Sequence, residues 1–179
     1  MEMEEWNKNQ YIKYLKLLIK LQNLHQSLFG PDKYLITPAC FSEKICRHLL
    51  SLNEIDGKEY DAKDDAGKTY EIKATSDPHG NTTISDEKPD FLVWIFFDYA
   101  NKKLVIKKIN YEAIKDKLSK TSEDSSGRRN ISLSRIFISG EHFETSCFCM
   151  ITLKKIADYD SCNDDDDDDD DDFHSPIIV

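Results

Sequence analysis

Three charged residues, Asp61, Glu71 and Lys73, have the types and spacing that metal-assisted hydrolysis requires. Glu71 and Lys73 stand two residues apart in a run, residues 68–76, that alternates like a β-strand, so their side chains should leave the same face. Two carboxylates can hold a hard divalent cation such as Mg²⁺, and a lysine beside them can orient or help deprotonate a water. If Asp61 reaches that face, the residues form a candidate site for phosphodiester hydrolysis.

The position of Asp61 depends on the turn that joins its strand to the strand of Glu71. A three-residue loop, residues 65–67, with Gly67 in the left-handed conformation, would place Asp61 opposite Glu71. A two-residue loop in the same segment would instead place Asp61 opposite Tyr70, on the wrong face. The Asp-Asp-Ala-Gly sequence of the turn favours the first register and leaves the second open.

Two alternatives to this site remain at the level of sequence. Asp64 and Asp65 could replace Asp61, although their turn position favours a structural role. A solvated hairpin is also possible, because a chain with 32% charged residues produces such spacing by chance. The apolar neighbours Ile72 and Ala74 and the apolar strand after them predict an inner hairpin of a covered sheet, which favours chemistry, since a carboxylate and a lysine there are costly unless they pair or bind metal.

The elements that must position these residues follow from the apolar periodicity of the chain. Residues 6–28 repeat apolar side chains as one face of a helix, and Thr37 with Pro38 predicts the N-cap and first residue of a second helix. Residues 58–63 and 68–76 form the hairpin, and residues 91–97 are apolar on both faces, as in a central strand covered by helices. We expect an α/β fold with a central mixed β-sheet flanked by helices.

The second half of the chain has weaker patterns. A strand over residues 103–109 is followed by Asn110, which can cap a short helix ending at Leu118. Residues 119–130 are polar and predict a loop, and residues 131–139 and 147–156 predict further elements of uncertain type.

The charge of the chain is concentrated at one end. Of a formal net charge of −10, nine units come from consecutive aspartates at positions 164–172, so the rest of the chain is nearly neutral. We therefore expect one domain over residues 1–160 and an acidic, disordered tail over residues 161–179. The sequence has neither a long apolar span nor the basic and apolar start of a secretory signal, which predicts a cytoplasmic protein.

Basic residues cluster at the end of the predicted short helix and in the region after it, and they suit contacts with phosphates or guanines, although a solvated face is an equal alternative. They are Lys117, Lys120, Arg128, Arg129 and Arg135. Residues 77–83, which follow the Glu71 strand, could form a DNA-reading loop or an ordinary exposed turn.

The order of a helix with an acidic residue, Asp61, a turn, Glu71-Ile72-Lys73 and an apolar strand resembles the PD-(D/E)XK nuclease superfamily. The short length and the run Glu-Ile-Lys-Ala-Thr-Ser resemble small type II restriction endonucleases. The resemblance covers residues 37–110, and the sequence departs from the family motif at Tyr60, where proline is usual.

This resemblance implies a restriction-endonuclease-like fold and a site-specific endonuclease that cleaves double-stranded DNA with magnesium. Asp61 and Glu71 would be metal ligands, Lys73 the catalytic lysine, and Glu43 an accessory acid, with an ordinary exposed helix residue the equal alternative for Glu43. A homodimer is implied by the two-fold symmetry of the usual targets. The alternatives are a structure-specific or repair nuclease of the same superfamily and a non-enzymatic interaction module with an acidic tail.

Overall fold

Helices and strands are interspersed along the chain in the computed structural model, which describes residues 8–55, 59–84, 87–121, 125, 128–138 and 143–157. The elements in chain order are α1 (Lys8–Phe29), α2 (Ala39–Leu50), β1 (Ala62–Lys63), β2 (Thr69–Thr75), β3 (Asn81–Ile84), β4 (Phe91–Asp98), β5 (Lys103–Asn110), a 3₁₀ helix (Tyr111–Ala113), α3 (Lys115–Leu118), β6 (Arg129–Ser132), α4 (Leu133–Ile138), β7 (Phe143–Cys149) and β8 (Lys155–Ile156). The predicted acidic tail, residues 161–179, lies outside the described residues.

The main sheet has six strands in the order β1-β2-β4-β5-β7-β8. Only β2 and β4 run parallel, and the other neighbours are antiparallel, so the predicted mixed sheet is confirmed. Strand β4 lies inside the sheet with Val93 and Ile95 buried on one face and Leu92 and Trp94 on the other. Its lack of polar alternation thus reflects cover on both sides, as predicted.

The two faces of the sheet have separate apolar cores. On one face, α1 and α2 pack Leu15, Leu18 and Ile45 against the side chains of β2, β4 and β5. On the other face, β3, β6, α3 and α4 bury a second cluster that includes Trp94 and Phe137. The α/β fold with helices on both faces of the sheet therefore agrees with the sequence-based expectation.

The start of α2 differs from the prediction. Pro38 is the N-cap residue, and its carbonyl accepts hydrogen bonds from the N–H groups of Phe41 and Ser42. Thr37 caps nothing, because its hydroxyl is buried and hydrogen-bonds the hydroxyl of Tyr99 at 3.0 Å. The Thr-Pro signal located the helix to within a residue but assigned the Thr37 side chain to the wrong partner.

Strands β3 and β6 form a separate two-stranded antiparallel ribbon. The predicted loops are therefore wrong at their ends: residues 81–83 belong to β3, and Arg129 and Asn130 belong to β6. The hairpin containing β1 and β2 is also misplaced by the prediction, since it lies at the edge of the sheet rather than inside it. Within the described residues, no helix is long and apolar enough to cross a membrane.

Candidate active site

The turn between β1 and β2 has the three-residue form. Gly67 has φ +81°, a conformation that glycine adopts without a Cβ penalty, and the N–H of Asp64 donates to the carbonyl of Lys68 at 3.0 Å. The ladder then pairs Ala62 with Tyr70. This confirms the predicted three-residue register for Ala62 and Lys63 and excludes the two-residue alternative, while Asp61 precedes the ladder and is positioned by its own contacts.

Asp61 lies at a bend immediately before β1. Its N–H donates to the carbonyl of Tyr70 at 3.1 Å, and its carboxylate Oδ2 accepts the N–H of Ile72 at 2.7 Å. Because β1 has only two residues, no strand carbonyl lies opposite the Ile72 N–H of β2. The Asp61 carboxylate accepts that hydrogen bond instead. The Asp61 carboxylate is thus held at the edge of the sheet, between the backbone groups that flank Glu71.

Glu71 is a buried carboxylate, 8% exposed, whose Oε1 lies 2.6 Å from Nζ of Lys73. Both side chains leave the sheet on the same face, as their two-residue spacing predicted. Burial raises the pKa of Glu71, the Lys73 ammonium opposes that increase, and the Asp61 carboxylate adds to it. Glu71 and Lys73 therefore form a close ion pair in which the carboxylate remains harder to ionise than in water.

Glu43 stands on α2, which packs on the face of the sheet opposite to Glu71 and Lys73, and it responds electrostatically to the carboxylates of Asp61 and Glu71. The side chain is half-buried rather than fully exposed. Burial raises the pKa of Glu43, the Asp61 carboxylate raises it further, and the nearby Arg47 guanidinium opposes both. The Glu71 carboxylate also contributes to the increase in the pKa of Glu43.

Arg47 and Glu87 belong to the surroundings of the site and were not singled out from sequence. Arg47 stands one helical turn after Glu43, its Nη1 donates to the carbonyl of Asp61 at 3.1 Å, and its Nη2 lies 3.4 Å from the Glu54 carboxylate. The spacing of four residues on α2 was the available signal. Glu87 adds to the pKa increase of Glu71 after burial and Asp61, and no local pattern pointed to it.

The turn aspartates have structural roles, as their position predicted. The Oδ1 atom of Asp64 accepts the N–H groups of Ala66 and Lys68, and its Oδ2 accepts the Tyr70 hydroxyl at 3.0 Å. Desolvation alone would raise the pKa of Asp64, but these hydrogen bonds lower it. Asp65 accepts a hydrogen bond from the Asn53 amide. Both carboxylates are therefore committed to the turn.

The oxygen-only donor set of Glu43, Asp61 and Glu71 suits a hard cation such as Mg²⁺. The raised pKa values of Glu43 and Glu71 also fit a cation site. A divalent ion would offset both the repulsion between the carboxylates and the cost of burying their charge. Among the described residues, no group of three or more His, Cys, Asp or Glu side chains is placed so that it could hold a metal ion. The three carboxylates therefore suit magnesium by the type of their ligand atoms and not by their present placement.

The predicted basic residues are only partly brought together. Lys117 and Arg135 line one cleft of about 490 Å³, with Asn81, Asn130 and Ser132 among its other walls. Arg129 instead donates to the carbonyl of Leu118 at 3.0 Å and lines a neighbouring cleft of about 340 Å³. The remaining predicted residues of this group, Lys120 and Arg128, are exposed.

Comparison with known proteins gives no family. No protein-family model matches the chain, and a search of curated proteins found no relative of it. A function can therefore be inferred only from the chemistry and geometry of the described residues.

Proposed function

We propose that this chain is a magnesium-dependent, site-specific DNA endonuclease of the type II restriction class, acting in the cytoplasm and built on a restriction-endonuclease-like fold. The observation that carries the proposal is that the Ile72 N–H holds the Asp61 carboxylate at 2.7 Å, on the same strand as the ion pair of Glu71 and Lys73. A buried, incompletely neutralised carboxylate beside a lysine is costly for a purely structural hairpin, and such groups concentrate at functional sites.

Each side chain of the proposed site has a distinct task. Asp61 and Glu71 would hold the ion, and Glu43 would offer a third carboxylate from α2. Mg²⁺ held by these residues would polarise a phosphoryl oxygen and lower the pKa of an attacking water. Lys73 orients that water and offsets charge on the phosphate, from a position 2.6 Å from Glu71.

The site is preorganised by backbone contacts. The Ile72 N–H fixes one oxygen of the Asp61 carboxylate at 2.7 Å, while Arg47 holds the Asp61 carbonyl at 3.1 Å. A ligand held in this way loses little conformational entropy when it binds an ion. Arg47 is therefore a positioning residue in the proposed site.

A homodimer is part of the proposal, and the outer face of α1 supports it. Leu17, Leu21, Leu24 and Leu28 are between 49% and 67% exposed and follow the alternating four- and three-residue spacing of a coiled-coil seam. Such a seam is self-complementary, so a second copy of α1 fits it about a two-fold axis. Tyr14, which is 36% exposed and lies three residues before Leu17, continues this seam. Lys13 and Lys20 stand one residue before Tyr14 and Leu21, so the dimer should tighten as salt screens the repulsion between the lysines of the two copies.

The dimer is tested by the double substitution Leu21→Gln and Leu24→Gln, which keeps helix propensity and removes apolar surface. Sedimentation of the full chain should show a dimer for the wild type and a monomer for the variant. The exposed Lys16→Gln on the same helix is the matched control and should remain dimeric. A monomeric wild type at all protein and salt concentrations would contradict this part of the proposal.

Plasmid DNA tests the activity directly. Purified full-length protein is incubated with supercoiled plasmid in Mg²⁺ or in chelator, and the products are separated on a gel. Discrete fragments that require Mg²⁺ support a restriction enzyme. A smear would favour a nonspecific, structure-specific or repair nuclease of the same superfamily, and intact DNA with every plasmid tried would favour a non-enzymatic interaction module.

A further inference from the structure

The ribbon of β3 and β6 has one apolar face and one polar face. Ile84 and Ile131 point into the core below it, because strand residues alternate between faces. The ladder pairs Asn81 with Ser132 and Thr83 with Asn130. These four residues share the outer face, where Asn81, Thr83 and Asn130 are exposed and Ser132 is half-buried. The outer face therefore presents small amide and hydroxyl groups.

Positive charge lies beside this polar face. The cleft of about 490 Å³ is bounded by Asn81 and Asn130 from the ribbon, by Lys117 from α3 and by Arg135 from α4. Two cations thus flank amide groups that can both donate and accept hydrogen bonds. This combination suits a ligand that has negative charges along its rims and hydrogen-bond donors and acceptors between them. A groove of duplex DNA has this arrangement, with phosphates at its rims and base edges on its floor.

The ribbon covers the same face of the main sheet from which Glu71 and Lys73 emerge. In the parallel pairing, Glu71 lies beside Leu92 and Lys73 beside Trp94. Leu92 and Trp94 belong to the apolar cluster that contains the inner face of the ribbon. Neighbouring strand residues in register share a face, so the ribbon and the proposed catalytic residues lie on the same side of the sheet.

The connection between β2 and the ribbon is short and tightly packed. The N–H of Gly80 donates to the carbonyl of Asp77 at 2.9 Å, and the Asp77 carboxylate accepts the N–H of His79. A Cβ at position 80 would approach Cγ2 of Thr75, the last residue of β2, to 2.7 Å. Only glycine allows this close approach, which fixes the start of the ribbon relative to the catalytic strand.

We propose that the β3–β6 ribbon enters the major groove of double-stranded DNA and reads base edges through Asn81 and Asn130. Lys117 and Arg135 hold the flanking phosphates. The major groove is about 12 Å wide and admits a two-stranded ribbon, and an asparagine amide can pair with both exposed groups of an adenine. This inference rests on the proposed function for the identity of the ligand as DNA.

The test is a selection from a pool of duplexes with randomised centres, using full-length protein and Ca²⁺, which takes the same class of oxygen ligands as Mg²⁺. The wild type should enrich a sequence motif. Asn81→Ala and Asn130→Ala should each lower that enrichment by about tenfold or more, with unchanged affinity for the unselected pool. Asn23→Ala, which removes an exposed asparagine from α1, is the matched control and should keep the wild-type motif.

The cation variants give a different signature. Lys117→Ala and Arg135→Ala should weaken binding to all duplexes alike, with the salt dependence shallower by about one unit of slope for each lost phosphate contact. Full enrichment by both asparagine variants would overturn the proposal, as would a wild type that binds every duplex equally or none.

Failure of this inference is distinguishable from failure of the nuclease. A wild-type chain that enriches a motif, with that enrichment lowered in Asn81→Ala and Asn130→Ala, but that leaves plasmid intact in Mg²⁺ contradicts the nuclease and supports the ribbon. Discrete cleavage at sites unchanged in Asn81→Ala and Asn130→Ala contradicts the ribbon and supports the nuclease.

Discussion

The two ends of the β1–β2 hairpin hold carboxylates in opposite electrostatic states. At the turn, hydrogen bonds lower the pKa of Asp64 against a desolvation effect. Close by, the Lys68 ammonium at 2.8 Å and the Thr69 N–H lower the pKa of Asp90. At the other end, burial raises the pKa of Glu71 despite Lys73. The turn end of the hairpin thus lies among carboxylates, Asp64 and the neighbouring Asp90, whose charges are satisfied by hydrogen bonds, whereas Glu71 at the other end is left short of positive charge.

The difference separates structural from functional carboxylates within a few residues of sequence. Asp64 receives three hydrogen bonds, so its charge stabilises the turn and leaves it little capacity for a further ligand. The positive groups beside Glu71 and Glu43, Lys73 and Arg47, do not fully offset burial and the repulsion from neighbouring carboxylates, so both pKa values stay raised. A protein tolerates such a deficit where function requires it, and a bound divalent cation would remove it.

The largest expected effect is on cleavage. Glu71→Gln and Lys73→Ala should each reduce Mg²⁺-dependent plasmid cleavage by about a hundredfold or more, because a lost ligand or cation removes several kcal/mol of transition-state stabilisation. Lys63→Ala, an exposed lysine of β1 in the same hairpin, is the control and should cleave normally. Cleavage rates are measured on one plasmid under identical salt. Normal cleavage rates in both Glu71→Gln and Lys73→Ala would contradict the distinction between structural and functional carboxylates.

A second expectation concerns pH and magnesium. In metal-free protein, the contribution of Glu71 and Glu43 to stability is fully present below their ordinary pKa of 4.5 and is lost as pH rises through their raised values. Mg²⁺ binds the ionised forms, so its stabilising effect should grow across the same rise in pH. Thermal unfolding with and without Mg²⁺ measures this gain, and Glu71→Gln should lose most of it.

Asp64 and Asp90 should show the opposite dependence. Their lowered pKa values add stability that is present above the ordinary pKa and is lost as pH falls through the depressed values. Mg²⁺ should not change that acid limb. An acid limb that shifts with Mg²⁺ would show that the turn carboxylates also bind the ion and would remove the distinction between the two ends.

The smallest effect belongs to the turn itself. Gly67→Ala forces a side chain into the left-handed region, at a cost of about 1 kcal/mol, with open space around the added methyl group. Thermal unfolding should show a Tm lower by about 2–4 °C. The folded variant should cleave DNA at the wild-type rate, since the register is set by the whole ladder. A loss of cleavage without a loss of stability would contradict the division of roles.

The geometry of the β1–β2 turn could be predicted from the sequence, because turn chemistry and the two-residue alternation of strands determine it. The register, the left-handed Gly67 and the structural roles of Asp64 and Asp65 are all confirmed. The edge position of the hairpin was predicted wrongly, since nothing local to residues 58–76 states which strands lie beyond them. Strand order depends on pairings distant in sequence.

The same limit applies to the ribbon and to the surroundings of the site. Strands β3 and β6 have four residues each and pair across more than forty positions of sequence, so their polar composition predicted loops. Thr37 was assigned a capping role because its distant partner, Tyr99, was not visible in the local pattern. The partial dispersal of the basic residues likewise depends on tertiary packing.

The most direct test compares Asp61→Asn with Asp64→Asn, two isosteric changes three residues apart in one hairpin. Both are assayed for Mg²⁺-dependent cleavage of the same supercoiled plasmid, after thermal unfolding has shown that each is folded. The proposed site predicts that Asp61→Asn loses cleavage by about a hundredfold or more, while Asp64→Asn retains it. Near-normal cleavage by Asp61→Asn together with loss in Asp64→Asn would contradict the assignment of the catalytic carboxylates.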